Sequence, residues 1–267
     1  MDQETVSRNG DFWEGPRIGL TLSEGRTWLP CHFYQVHYMV ALFKTTDRQL
    51  QPLLEGSGLR SGLRWMGRPV VAMGLIQYQK SDLGAYQEII LSVPAIPQGV
   101  QTVFGGWGGL FGDLERRSLG QYILQIPVTS SFSMVAGKEI WGYPKRLADI
   151  HHQFLPGDLH SEMHDAGGQL VLQCRGHLGF SLPFVPLSLV TYSFKNGRPL
   201  RTRVSVKGMM RWFPAQKLML STGASEDPLA IQIRQLGIDG KRPFMVLDSP
   251  AFQSKFFPGE EVGREWR

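Results

Sequence analysis

Gly137-Lys138-Glu139-Ile140-Trp141-Gly142-Tyr143-Pro144-Lys145-Arg146-Leu147-Ala148-Asp149-Ile150 is the stretch on which the reading of this chain turns. Lys145 follows an aromatic, glycine and proline run, so apolar walls on either side can strip water from its ammonium group. Desolvation disfavours the charged form. A neutral lysine amine attacks a ketone and forms an imine. The ordinary reading competes with this one. Most lysines are solvated surface charges, and Pro144 marks a turn or strand start, where an exposed lysine is common.

The chain has 267 residues, of which 42% are hydrophobic and 19% charged, enough apolar material for a sizeable core and too few charges for disorder. Glycine (31) and proline (17) are plentiful, and long helical patterns are few, which favours a β-rich, turn-rich fold. Cys31 and Cys174 are far apart, matching neither a disulfide framework nor a zinc spacing. The N-terminus is polar and no apolar run reaches membrane-spanning length, so a cytoplasmic protein with no membrane partner is expected. Net charge is +5, and no acidic residue falls between Asp165 and Glu226. Within that gap Arg201, Arg203, Ser205 and Lys207 alternate with Thr202, Val204 and Val206. This is the period of a strand with one wet face; no nucleic-acid motif accompanies the charge, so no nucleic-acid partner is expected.

Read in order, residues 1–15 form a loose arm and residues 28–43 early strands. Residues 45–56 form a short helix capped by Thr45, Thr46 or Asp47, stopped by Gly56 and threatened by Pro52. Residues 68–80 and 86–93 are strands about a Ser81-Asp82-Leu83-Gly84 turn. Glu88 sits among aliphatic neighbours there; taken alone, the pattern puts it on a wet face. The glycine-rich run 104–113 lacks the lysine of a P-loop and the spacing of a dinucleotide fingerprint, and reads as an aromatic-bearing lid or turn. Residues 121–136 read as a strand pair bent at Pro127. Strands follow at 151–155, 159–164 and 169–180. Asn196-Gly197 sets a hairpin between 189–194 and 199–206. Residues 228–236 are strand or short helix, and the tail from Ala251 is irregular. His160 and His164, four apart on a strand, stand roughly 13 Å from each other and cannot chelate one ion. His151 and His152 point to opposite faces. No metal site is assigned.

Beyond composition, the lysine segment resembles the signature of the acetoacetate decarboxylase family: Gly-Arg-Glu, a short aromatic spacer, then Pro-Lys-Lys-Leu. Leu83-Gly84-Ala85-Tyr86-Gln87-Glu88 resembles that family's Leu-Gly-x-Tyr-x-Glu turn, and Pro186 through Pro199 resembles the hairpin after its arginine-proline-asparagine segment. The resemblance covers most of the chain. It implies a mainly β fold with a few short helices, an antiparallel β-cone or closed barrel forming a single domain over 1–267, homo-oligomeric, with Lys145 inside and Glu88 in the active site. It implies no cofactor. Three positions depart from the pattern. Arg146 stands for the second signature lysine, Val36 or His37 for an N-terminal strand arginine, and Met73 for a glutamate before the Leu-Gly turn.

The candidate catalytic residues are Lys145, Glu88, Arg146 and Glu139; Tyr86, Trp141 and Tyr143 are the candidate substrate contacts. Arg146 would lower the proton affinity of Lys145 by repulsion, but on an extended segment it points to the opposite face. Glu139 either accepts a hydrogen bond from the lysine or anchors the turn. The expected function is a Schiff-base lyase that decarboxylates a β-keto acid through a Lys145 iminium. The alternatives are an aldolase or aldolase-dehydratase using the same lysine on a pyruvate-like or other ketone, and a non-catalytic barrel that binds a small apolar ligand.

Overall fold

A computed structural model describes residues 12–101, 104–111 and 113–262. The organising feature is strand alternation in which both faces are apolar. In β-structure successive side chains point to opposite faces. Here Val71, Met73 and Leu75 face one way, and Ala72, Gly74 and Ile76 the other. A strand buried on both sides reads as a continuous apolar run, as Arg68–Ser81 does.

The chain opens with a hairpin, β1 (Ile18–Leu22) and β2 (Gly25–Leu29), then β3 (Cys31–Lys44). Helix α1 (Asp47–Leu54) is capped by Thr46 and carries Pro52 within it. Short strands β4 (Leu59–Ser61) and β5 (Arg64–Trp65) precede two long ones, β6 (Arg68–Ser81) and β7 (Tyr86–Pro97). A 3₁₀ turn over Phe104–Leu110 leads to β8 (Gly120–Val128), α2 (Ser131–Trp141) and β9 (Lys145–Leu147). Then come β10 (Asp149–Leu155), β11 (Asp158–His164), β12 (Leu170–His177) and β13 (Leu182–Phe184). The last part holds β14 (Leu189–Lys195), β15 (Arg198–Lys207), β16 (Met210–Trp212), β17 (Met219–Thr222), α3 (Pro228–Gln235) and β18 (Met245–Glu261).

Seven strands close a barrel in the order β18-β15-β14-β8-β7-β6-β3, with β3 paired back to β18. The pairings are antiparallel except for a seam where β14 and β9 both run parallel to β8. A four-stranded sheet, β10-β11-β12-β17, lies against the outside of the barrel wall. Between them lies the larger core. Met73, Leu75, Ile89 and Leu91 of the barrel meet Ile150, Met163 and Leu172 of the sheet, with α1 and α3 closing the edges through Leu50 and Ile233.

Several local expectations need correction. Residues 121–136 are not a strand pair: β8 stops at Val128, and Ser130 starts α2 by accepting a hydrogen bond from the Ser133 N–H. The tail from Ala251 is not irregular. It belongs to β18, which closes the barrel, and bulges around Phe252 break the period-two pattern that would have revealed it. Residues 228–236 are helical, with Asp227 as cap and Pro228 in the first turn. Residues 1–11 of the arm lie outside the described residues, but Trp13 packs against His32 and Tyr34. Residues 104–110 form the 3₁₀ turn, and residue 112 is outside the described residues. The Asn196-Gly197 hairpin is present, with φ of 52° and 74°. Arg201 and Arg203 are half-buried rather than free in solvent, because they pair with Glu115 and Glu260.

Ile89 is fully buried between barrel and flanking sheet. Ile89→Ala should lower unfolding stability by about 2–5 kcal/mol in chemical denaturation, the usual cost of truncating a buried aliphatic side chain.

Candidate active site

Lys145 opens β9, opposite Ile126 of β8. Helix α2 delivers it there. Gly142 ends the helix in the left-handed region, and its N–H returns to the Lys138 carbonyl at 3.1 Å. A side chain at Gly142 is excluded twice over, by its φ of 62° and because a Cβ would lie 2.5 Å from the Phe194 carbonyl oxygen. The reversal sends Lys145 back past the helix it has just left. Its methylenes cross α2 at Gly137, where a Cβ would fall 2.4 Å from Cδ and 2.7 Å from Cε. The glycine of Gly137-Lys138-Glu139 is therefore a groove for the lysine stem.

At the end of that stem Nζ lies 2.5 Å from Glu88 Oε2 and 2.9 Å from Ser133 Oγ. Lys145 is 6% exposed and Glu88 2%. An unpaired charge at this depth would cost several kcal/mol in lost hydration; pairing within hydrogen-bond distance offsets it. Glu88 points inward because it shares a face with Tyr86 and Ile90, all three lining the barrel interior. The wet-face reading of this residue is thus overturned: both faces of β7 are enclosed. Tyr78 donates its hydroxyl to Glu88 Oε1 at 3.0 Å. The Tyr86 ring faces Nζ at 5.3 Å and stacks on Tyr78 at 4.2 Å. Burial, and next the Glu88 charge, push both phenols well above their ordinary range, so both stay protonated. Cys31 feels the Lys145 charge, but burial pushes its thiol up to about 12, leaving it protonated.

The pair opens into a cavity of about 200 Å³. Among the described residues, its only charged lining side chains are Lys145, Glu88 and Arg117; the walls are otherwise dominated by groups such as Val36, Ile76 and Ile90. Trp141 and Tyr143 line it too, fixed by hydrogen bonds from Trp141 Nε1 to the Phe257 carbonyl and between the Tyr143 and Thr191 hydroxyls.

Two candidates are not brought to the lysine. Arg146 points out of the barrel and pairs with Asp227, the cap of α3, at 2.5 Å. Glu139 is exposed and accepts hydrogen bonds from Ser23, in the turn between β1 and β2, rather than from the lysine. Val36 lines the cavity whereas His37 faces outward to Asp248 at 2.6 Å, and Met73 lies in the outer core. Sequence reasoning missed Ser133 and Tyr78. The Ser130-x-x-Ser133 spacing, which caps a helix, was the available signal for the first. For the second it was the position of Tyr78 on the face shared with Gly74 and Ile76. Among the described residues no group of three or more His, Cys, Asp or Glu side chains could hold a metal, and no helix is long and apolar enough to cross a membrane.

The model of the acetoacetate decarboxylase family matches residues 8–207, well over half of the chain. No curated protein sequence matches. Several solved structures share the fold. An acetoacetate decarboxylase superposes with a TM-score of 0.64 at 14% identity, over 87% of this chain and 89% of that one. The acetoacetate decarboxylase from Legionella pneumophila gives 0.62 at 17%, over 97% and 93%. The enduracididine biosynthesis enzyme MppR, complexed with pyruvate, gives 0.61 at 12%, over 93% and 99%.

If Gly137 exists to pass the lysine stem, Gly137→Ala should displace Nζ from Glu88, lower turnover at least tenfold and lower the thermal midpoint as the buried pair is lost, while leaving the circular dichroism spectrum near wild type. Equal activity in that variant would refute the groove. A second expectation concerns His152, packed against the outside of the same wall. Burial lowers its pKa from 6.5 to about 4. Above pH 6.5 the ring is neutral in both folded and unfolded chains and has no effect on stability. As pH falls from 6.5 towards 4, the unfolded chain binds a proton that the folded one refuses, so stability is lost, by up to about 3 kcal/mol. Urea titrations across this window should show a shallower decline for His152→Gln.

Proposed function

We propose, on the premise that this chain belongs to the acetoacetate decarboxylase family, that Lys145 forms a Schiff base with a ketone and that the reaction is loss of carbon dioxide from a β-keto acid. One observation carries the reading: a nearly inaccessible lysine nitrogen, 2.5 Å from a buried carboxylate, inside an apolar cavity.

The chemistry follows from the pair. Transfer of the Lys145 proton to Glu88 leaves a neutral amine and a neutral acid. The amine nitrogen adds to the substrate carbonyl carbon, giving a carbinolamine. Glu88 returns the proton to its hydroxyl, which departs as water and leaves an iminium beside a carboxylate. The iminium accepts the electron pair of the bond to the β-carboxylate. That bond breaks, carbon dioxide leaves, and a neutral enamine remains. A proton taken up from solvent, relayed by the Glu88 carboxylate, adds to the enamine carbon and regenerates the iminium; water then adds to the iminium carbon and releases the ketone and the Lys145 amine. Tyr78 holds Glu88 in place through the oxygen not facing Nζ. The cavity walls are mostly apolar, and a carboxylate that loses its hydration there is favoured to convert to neutral carbon dioxide.

The enamine would equally attack an aldehyde, which is the aldolase reading. The condensation product of pyruvate and imidazole 4-carboxaldehyde, bound in another MppR structure of the same fold, is the observation that favours it. A purely binding role would use Lys145 as a counter-ion only.

Incubation with a ketone and borohydride should leave a reduced adduct on Lys145, read by peptide mass spectrometry. Lys145→Met should abolish adduct and turnover, and Glu88→Gln should slow turnover by about 10²–10⁴-fold. Absence of adduct across a broad ketone panel would favour the binder. Carbon dioxide release from β-keto acids, against condensation of pyruvate with aldehydes, separates the two enzymes.

A further inference from the structure

From the shape and chemistry of the cavity beyond Lys145 we infer that the substrate is a ketone or β-keto acid bearing an extended apolar tail, which lies along the barrel interior. This rests on the Schiff-base reading for the reactive end and on independent geometry for the tail.

The lysine pair occupies one level of a longer channel. Glu88 lies opposite Ile76 on β6, which in turn lies opposite Tyr38 on β3. The next inward level is Ile90, Gly74 and Val40, and the one after it Ser92, Ala72 and Leu42. All six line the cavity. From Glu88 to Ser92 is four residues of strand, roughly 13 Å. The width of this passage is set by small residues: Gly74 and Ala72 stand on the wall where larger aliphatics would close it. Val185, which lines the cavity and is 66% exposed, marks where the channel meets solvent.

The charge distribution gives the second argument. Among the described residues, the charged lining residue apart from the Lys145–Glu88 pair is Arg117, which donates to the Ser188 carbonyl and feels the charges of Asp113 and Arg201. No arginine among the described residues is hydrogen-bonded or ion-paired to the Lys145–Glu88 pair where it could clamp a small carboxylate. A short keto acid entering here would lose its hydration with little in return. A tail changes that balance, because each methylene moved from water into an apolar passage strengthens binding by about fourfold. Binding free energy gained remotely then offsets desolvation at the reacting carbon.

The test uses the full-length protein with two series of probes. The first is decarboxylation of acetoacetate, 3-oxohexanoate, 3-oxooctanoate and 3-oxodecanoate; kcat/KM should rise by about fourfold per added methylene until the passage is filled. The second is calorimetric binding of acetone, 2-hexanone and 2-octanone to Lys145→Met, which cannot form an imine; affinity should rise in the same order. Ala72→Phe, which blocks the distant level, should lower the ratio of 3-oxooctanoate to acetoacetate kcat/KM at least tenfold. Borohydride adducts with all chain lengths but no rise in either series would overturn the tail and leave the Schiff base standing. Length-dependent binding to Lys145→Met with no adduct in wild type would uphold the tail and remove the Schiff base. A preference for acetoacetate over every longer acid would also overturn the inference.

Discussion

Lys145 and Glu88, both nearly out of reach of solvent, hold each other inside an apolar barrel, and much of the architecture serves to keep them there. Left unpaired, either group would cost more than most single contacts contribute. The pair is therefore built from both ends. Lys145 comes from a short strand pinned parallel to β8, with its stem seated on Gly137. Glu88 comes from the neighbouring strand β7, where Tyr78 occupies its second oxygen. The parallel seam is what makes this possible. An antiparallel hairpin would have returned the chain at once, whereas α2 provides the crossover that a parallel neighbour requires. The same helix contributes Ser133 to the lysine nitrogen.

A barrel with both wall faces apolar needs cover on the outside, and the flanking sheet with α1 and α3 supplies it. This division separates two jobs along single strands. On β6 the residues facing outward, such as Met73 and Leu75, pack densely against that cover. Those facing inward are graded from Tyr78 and Ile76 near the pair to Gly74 and Ala72 farther along. Stability and ligand space are thus assigned to alternate residues. A substitution of an outward residue acts on folding, and one of an inward residue acts on the cavity.

Much of this was legible in the chain. The strand pair about Ser81–Gly84, the three strands from 149 to 177 and the Asn196-Gly197 hairpin follow from alternation and turn chemistry, which are local signals. Strand β18 was hidden because its bulges shift the phase, so no single period runs through it. Helix α2 was hidden because its buried stripe, Ser133, Ala136, Gly137, Ile140 and Trp141, includes a serine and a glycine, while Phe132, Met134 and Val135 outside the stripe are apolar, so hydropathy does not mark the face. Lys145 and Glu88 were recognisable through the family pattern, since local composition alone placed Glu88 on a wet face. Ser133 and Tyr78 were not, because their roles depend on which side chains converge after the barrel has closed. Arg146 and Glu139 show the reverse problem. They sit beside the lysine in sequence, but strand alternation turns Arg146 to Asp227 and helical position turns Glu139 to Ser23.

The outer sheet also reaches the site through the backbone. His152 of β10 donates from Nε2 to the Glu88 carbonyl at 3.1 Å, and its Nδ1 accepts from the Ser161 hydroxyl at 2.8 Å. The tautomer is set by those partners, since a carbonyl only accepts. One residue earlier, the Gln87 side chain accepts from the His152 N–H at 2.6 Å, and the Gln87 N–H donates to the Thr129 hydroxyl at 2.9 Å. Strand β7 is thus fastened from outside at the residue whose side chain meets Lys145 inside. A buried neutral imidazole is well suited to this task, because a charged ring at that depth would have to shed its hydration with no carboxylate among its hydrogen-bond partners. The flanking sheet is therefore more than cover for the barrel: it fastens the β7 backbone at the residue whose side chain sets the 2.5 Å contact with the lysine nitrogen.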